Sequence, residues 1–313
     1  IRKKKMKTVF MIDGGAGRAI AAIPALIKFS KRNTNFQVMV NGWDTLYWGI
    51  PELHDKVFNP DQKGAFEQFF LDADEVITPE PYRVPGYYKQ ENSLAQAFDK
   101  LINNTNEHDD LTLPVLTTSR MEEINAAKFI QQVKKDQQKQ KTIIIQPFGR
   151  SAERVDEEII VDQSSRSINP DTYLKLVKKL TTKYNVVLFA EKHFHMKEDT
   201  YTVKPEADLR QWIAFIDASD YFIGCDSLGQ HIARAVNKPG TVIIGSTFAV
   251  NTSYPDFFNI IERKAPRKYS PIRISGLEGH LADRINEKTV EFTEEEINTM
   301  YANIVKDIEK KVK

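Results

Sequence analysis

Two series of short apolar strands, each interleaved with helical periodicity, predict an α/β protein built from two parallel-sheet domains. Near the start, Thr8-Val9-Phe10-Met11-Ile12, the turn Asp13-Gly14-Gly15-Ala16-Gly17, a helical stretch over 19–29 and Phe36-Gln37-Val38-Met39-Val40 form a β-loop-α-β unit. Later, apolar runs at 142–145, 186–190, 221–223 and 241–244 repeat the pattern. Between the two series, residues 131–141 are almost without apolar side chains and read as an exposed helix end or linker.

The individual elements follow from local signals. Glycines at 14, 15 and 17 permit the turn that ends the first strand. Glu75-Val76-Ile77 and Leu113-Pro114-Val115-Leu116 are weaker strand candidates. In the second half, Asn169-Pro170 is a helix-start signal, and Tyr173, Leu174, Val177 and Leu180 share one helical face. Leu209, Trp212, Ile213 and Ile216 do the same in the next crossover. Thr293-Glu294-Glu295-Glu296 is a capping box for a terminal helix whose stripe is Ile297, Tyr301, Ile304 and Ile308. The expected division is a first domain over 1–130, a linker over 131–141, a second domain over 142–290 and a docked C-terminal helix over 291–313.

The 313 residues suffice for two cores, since a single core stops growing at roughly 250–300 residues. Lys plus Arg (44) nearly cancels Asp plus Glu (43), so no net field recruits nucleic acid or anionic lipid. Cys225 is the only cysteine, which excludes an intrachain disulfide and points to a reducing compartment. No apolar run reaches the roughly 20 residues of a bilayer span, and no signal-type segment follows the basic start, so the expectation is a cytoplasmic protein without a membrane span. Met6 is a candidate start, making residues 1–5 an extension.

The chemistry concentrates in Gly224-Cys225-Asp226-Ser227-Leu228-Gly229-Gln230-His231-Ile232-Ala233-Arg234-Ala235. Small and polar residues between a strand end and a helix start leave amides pointing outward, where an anion can be held. The plainer readings are that Asp226-Ser227 caps a helix and that His231 packs.

With Lys238-Pro239 and Val242-Ile243-Ile244-Gly245-Ser246-Thr247 following, this stretch resembles the signature Asn-Asp-Ser-Gly-Pro-x-His-Leu-Ala-Ala-Ala of the heptosyltransferase-like glycosyltransferases, family nine. Gln146-Pro147-Phe148-Gly149-Arg150 is similar to that family's His-Pro-Gly strand end. The match covers 142–247 well and the rest loosely. It implies a GT-B fold, two Rossmann-like domains facing a cleft, with the C-terminal helix docking back across the domains. It implies a nucleotide-diphosphate sugar as donor substrate, with Gly149, Arg150, Arg166, Glu191, Asp226, Ser227, Gly229, His231 and Thr247 around it. Backbone amides, Ser227 and an arginine fork would hold the leaving diphosphate, Glu191 the ribose, and Asp226 would orient the loop or His231. No cofactor is implied. The histidines at 193 and 195 have no Cys or carboxylate cluster beside them, and no metal is assigned.

The first domain should bind the acceptor, through Gly15, Asp44 and the tyrosine loop at 82–88 with Tyr87, and should hold the general base. Here the chain departs from the family. Where relatives read Gly-Asp in the first glycine loop, this sequence has Gly17-Arg18, and an arginine stays protonated at any working pH. Asp13 is the nearest replacement and Asp44 the next, although Asp13 also serves simply to close the turn. Arg18 would instead hold a phosphate. With the basic stretch 263–273 it admits two acceptor classes, a phosphorylated saccharide or a hydroxymethylated base in DNA. Three readings stand: an inverting, metal-independent glycosyltransferase; a catalytically inactive nucleotide-sugar-binding protein on the same scaffold; or another nucleotide-dependent enzyme, an epimerase or dehydrogenase. The last fits poorly, because Val40 is followed by Asn41-Gly42 and not by the acidic residue of a dinucleotide site.

Overall fold

The computed structural model describes residues 6–149, 152–154, 160–162, 166–190, 199–263 and 290–312. The chain divides into two compact units, 1–117 and 118–313.

In the first unit, β1 (Thr8–Ile12) is followed by α1 (Ala16–Arg32), β2 (Phe36–Val40), β3 (Val57–Phe58) and β4 (Glu75–Ile77). The sheet order is β3-β2-β1-β4, all pairs parallel. α1 crosses one face with Ile20, Ile23, Leu26 and Ile27 buried. The short α2 (Pro85–Tyr88) leads to α3 (Leu94–Asn103), which packs on α1 and begins with a Ser93–Gln96 capping box. The strand expected at 113–116 is not formed: the segment is unpaired, with Leu113 and Val115 exposed. Pro114 brings no amide to a ladder.

The second unit opens with α4 (Arg120–Gln137), which incorporates most of the polar stretch at 131–141 as its C-terminal half. A bidentate pair from Arg210 to Glu122, at 2.9 and 2.8 Å, helps fix α4 in this unit. Then come β5 (Thr142–Gln146), the antiparallel pair β6 (Ala152–Arg154) and β7 (Ile160–Asp162), α5 (Pro170–Leu180), β8 (Asn185–Leu188) and α6 (Leu209–Ala218). They continue into β9 (Tyr221–Cys225), α7 (Leu228–Ala235), β10 (Gly240–Ile244), α8 (Ala249–Thr252), β11 (Asn259–Glu262) and α9 (Glu294–Lys311). The parallel sheet runs β11-β10-β9-β5-β8, and a parallel bridge between Val187 and Val203 extends it beyond β8.

Every residue of β5, β8, β9 and β10 is buried, as expected for parallel strands covered on both faces. On one face Ile143, Ile145, Tyr221 and Ile223 pack with Tyr173, Val177 and Leu180 of α5 and with Met300, Ile304 and Ile308 of α9. The terminal helix thus docks onto the second unit's own core. Helices α4, α6 and α7 form the opposite layer, where Phe129 stacks on Phe215 and Phe189 on Trp212, each at 4.3 Å.

Candidate functional site

In open parallel sheets, ligands bind beyond the carboxyl ends of the strands, where successive connections leave in opposite directions. In the second unit that switch point falls between β5 and β9, and in the first between β1 and β4. Several of the residues singled out in the sequence lie at these two places.

After β5 and β9, Gly149 and Ser227 come together. A Cβ at Gly149 would lie 3.4 Å from Ser227 Oγ and 3.7 Å from Ser167 Oγ, ordinary contact distances that place the two loops side by side. Gly149 N donates to Ser167 Oγ at 2.9 Å, and Ser167 N in turn donates to Asp162 Oδ2 at 3.0 Å. Ser227 is the N-cap residue of α7, yet its hydroxyl does not cap the helix, so the plain capping reading does not describe it. Gln146, fully buried at the end of β5, takes that part: its Oε1 accepts from Gly229 N at 2.6 Å. Gly229's amide is therefore occupied, and the Nε2 of the same Gln146 lies 3.5 Å from Ser227 Oγ. Gln146 holds the start of α7 and was not among the residues singled out in the sequence. A buried amide side chain at a strand end needs a partner, and that was the available signal.

Asp226 and His231 sit beneath this loop. Asp226 accepts from Thr247 Oγ1 at 2.7 Å and from Gln230 Nε2 at 3.0 Å. Burial raises its carboxyl above the usual range, against which the Arg166 charge and hydrogen bonds from Thr247, Thr252 and Gln230 pull. Asp226 thus orients the β10 loop through Thr247. His231, the other partner considered for it, is held by Tyr254, whose hydroxyl lies 2.9 Å from Nδ1. Burial, reinforced by the Arg166 charge, pushes His231 down to about 4, so the imidazole is neutral at physiological pH. Thr247, buried with its hydroxyl directed at Asp226, lies behind the loop surface. Arg150, Glu191, His193, His195 and the basic residues 264–273 lie outside the described residues. Among the described residues, no group of three His, Cys, Asp or Glu side chains is arranged to hold a metal ion, and no helix is long and apolar enough to cross a membrane.

In the first unit, Gly14 has φ +100°, a backbone conformation natural to glycine, and the Arg18 side chain folds back over it. Trp43 Nε1 donates to Gly14 O at 2.9 Å and ties the loop after β2 to the glycine turn. Asp13 is exposed on that turn, Gly15 is the N-cap of α1, and Asp44 is half-buried in the helical turn after β2. Arg18 is 6% exposed, and its Nη1 reaches both oxygens of Glu80 at 3.3 and 3.4 Å. Its guanidinium lies 4.8 Å from the Tyr82 ring centre. Tyr87, expected on an acceptor-contacting surface, is instead fully buried beside Tyr82, because α2 packs against α3. Tyr88 is the exposed tyrosine of that turn.

Both units thus present a doubly wound parallel sheet with polar residues at its switch point. No protein-family model matches the sequence, and no curated protein does. Among solved structures, ADP-heptose LPS heptosyltransferase II of E. coli aligns with a TM-score of 0.61 at 15% identity, covering 96% of this chain and 99% of that one. A family 9 glycosyltransferase from Veillonella parvula aligns at 0.64 and 10% identity, covering 96% and 98%. The iron-containing dodecameric glycosyltransferase TibC of enterotoxigenic E. coli aligns at 0.61 and 10% identity, covering 99% of this chain and 77% of that one. The fold is that of the GT-B glycosyltransferases. The likeness extends over both units, beyond the 142–247 segment that carries the sequence resemblance.

Proposed function

We propose that this protein is an inverting, metal-independent glycosyltransferase that moves a sugar from a nucleotide-diphosphate donor to a hydroxyl acceptor. The observation that carries this reading is the approach of Gly149 to Ser227 at the switch point of the second sheet, with the Arg166 charge felt by the neighbouring Asp226. In the reaction, the acceptor oxygen attacks the anomeric carbon, the bond from that carbon to the diphosphate oxygen breaks, and the hydroxyl proton passes to a base. Negative charge then grows on the departing nucleoside diphosphate. The Arg166 fork, the Ser227 hydroxyl and the positive end of α7 are the groups that would meet it. Neutral His231 adds no charge to that site and keeps the loop packed through Tyr254. Because ADP-heptose is named for one of the structural neighbours, ADP-sugars lead the donor candidates. The acceptor classes are a phosphorylated saccharide and a hydroxymethylated DNA base.

Thermal-shift screening with ADP-, UDP-, GDP- and CMP-sugars, and with NAD, tests the reading. Stabilisation by a nucleotide sugar and release of its nucleoside diphosphate in the presence of EDTA are expected. Stabilisation by NAD alone would favour a dehydrogenase or epimerase, and donor binding without any turnover would favour an inactive binding protein.

A further inference from the structure

Arg18 is 6% exposed, and its Nε is buried with no hydrogen-bond partner among the described residues. Buried polar groups in folded proteins are almost always satisfied, so an orphaned guanidinium N–H calls for an explanation, and a bound anion suits its charge. Both contacts to Glu80, at 3.3 and 3.4 Å, come from Nη1, and the Tyr82 ring lies 4.8 Å from the guanidinium. These contacts hold the side chain in place without using the edge formed by Nε and Nη2. That edge is the one by which Arg210 grips both oxygens of Glu122.

The surroundings point the same way. Nε lies against the glycine turn, where a Cβ at Gly14 would be 3.0 Å from it. The turn leads into α1 with Gly15 as N-cap; among the described residues no side chain caps that end, and the first turn has no acidic residue. The helix's own hydrogen bonds begin with Arg18 N, which donates to Gly15 O at 2.9 Å, so the amides of Ala16 and Gly17 come before them. Glu80 answers the Arg18 charge through Nη1, but the Nε–H and the uncapped helix start both remain for an anion. The turn follows β1 at the switch point of the first sheet, the position at which this sheet type places a ligand. A phosphate monoester matches a planar fork beside a helix start. A nucleic acid would need a track of cations, and the net charge of the chain is only +1.

We propose that the glycine turn and the start of α1 form a subsite for a phosphate monoester, gripped by the Nε–Nη2 edge of Arg18 and received by the first-turn amides, and that this phosphate belongs to a phosphorylated saccharide acceptor. The assignment to an acceptor rests on the transferase reading above, whereas the anion subsite stands on the first unit alone. Of the two acceptor classes, the subsite selects the phosphorylated saccharide over the hydroxymethylated base.

The test uses the full chain carrying Trp48→Phe and Trp212→Phe, which leaves Trp43, whose Nε1 donates to Gly14 O at 2.9 Å, as the reporter of the turn. Inorganic phosphate and glucose-6-phosphate should each change Trp43 fluorescence saturably, and glucose should not. Arg18→Lys keeps a cation beside Glu80 but has no fork, and should weaken both phosphates about 10-fold or more, the scale of a lost charge-assisted hydrogen bond. Ala16→Pro leaves the Arg18–Glu80 pair untouched and suits the first helical position, since Gly15 before it is already extended at φ −77° and ψ 161°. It removes one first-turn amide and should weaken both phosphates as well. Binding within a few-fold of the parent in both variants overturns the subsite, as does Trp43 fluorescence that neither phosphate moves. A Trp43 response to ADP, or to an oligonucleotide containing hydroxymethylcytosine, without a response to either phosphate gives the turn to another ligand and overturns the proposal. Binding of inorganic phosphate but not of glucose-6-phosphate overturns the saccharide assignment. Phosphate binding at the turn of a protein that no nucleotide sugar stabilises would uphold the subsite and overturn the transferase reading.

Discussion

His231 provides a pH-dependent signature of the second unit. In the folded protein its pKa is pushed from 6.5 to about 4 by burial and by the Arg166 charge. The unfolded chain therefore binds a proton at this residue over a range in which the folded chain does not, and the stability it contributes rises with pH. That stability is fully present above about 6.5 and is lost as the pH falls from there toward about 4. At about 1.4 kcal/mol per pH unit, the difference amounts to about 3 kcal/mol. His231→Asn removes the titration while offering Tyr254 a polar partner. The protein has three tryptophans, and Trp212 is the one in the second unit, buried against Phe189. In a Trp43→Phe, Trp48→Phe background, urea unfolding followed by Trp212 fluorescence from pH 7.5 to 4.5 reports on that unit. The background protein should lose about 2–3 kcal/mol more than its His231→Asn derivative over that range. Parallel curves for the two proteins would refute a neutral, buried His231.

Two glycine substitutions probe the two switch points. Gly14→Ala places a Cβ at φ +100° and 2.8 Å from Arg18 Cδ, and should destabilise the first unit by about 1–3 kcal/mol in urea unfolding followed by Trp43 and Trp48 fluorescence. Gly229→Ala places a Cβ 2.5 Å from Gln146 Oε1 and 2.6 Å from Phe222 Cζ, which displaces the side chain that holds the start of α7. It should lower the melting temperature and shrink the thermal shift given by a nucleotide sugar, whereas an unaltered shift would count against this loop as the donor site.

The second sheet was legible because its strands are continuous apolar runs and its helices carry clear stripes and caps, so local propensity and burial agree. Residues 113–116 look like a strand by composition, but pairing is a tertiary property and Pro114 works against it. The 224–235 segment was legible as a strand end followed by a helix start from its small and polar residues. The occupation of the Gly229 amide by Gln146, and the direction of Asp226 toward Thr247, were not, because both depend on partners far away in sequence. Tyr87 was misplaced for a related reason: a tyrosine beside prolines suggests a surface loop, and only the packing of α2 on α3 buries it. Glu80 carries no motif, and its proximity to Arg18 follows from the pairing of β4 with β1.

The most direct test of the donor site is a crystal structure of the full chain with the nucleoside diphosphate of the nucleotide sugar that stabilises it most. The account predicts the diphosphate at the β9–α7 junction, within hydrogen-bond distance of Ser227 and Arg166. A diphosphate bound at the glycine turn of the first unit would contradict it.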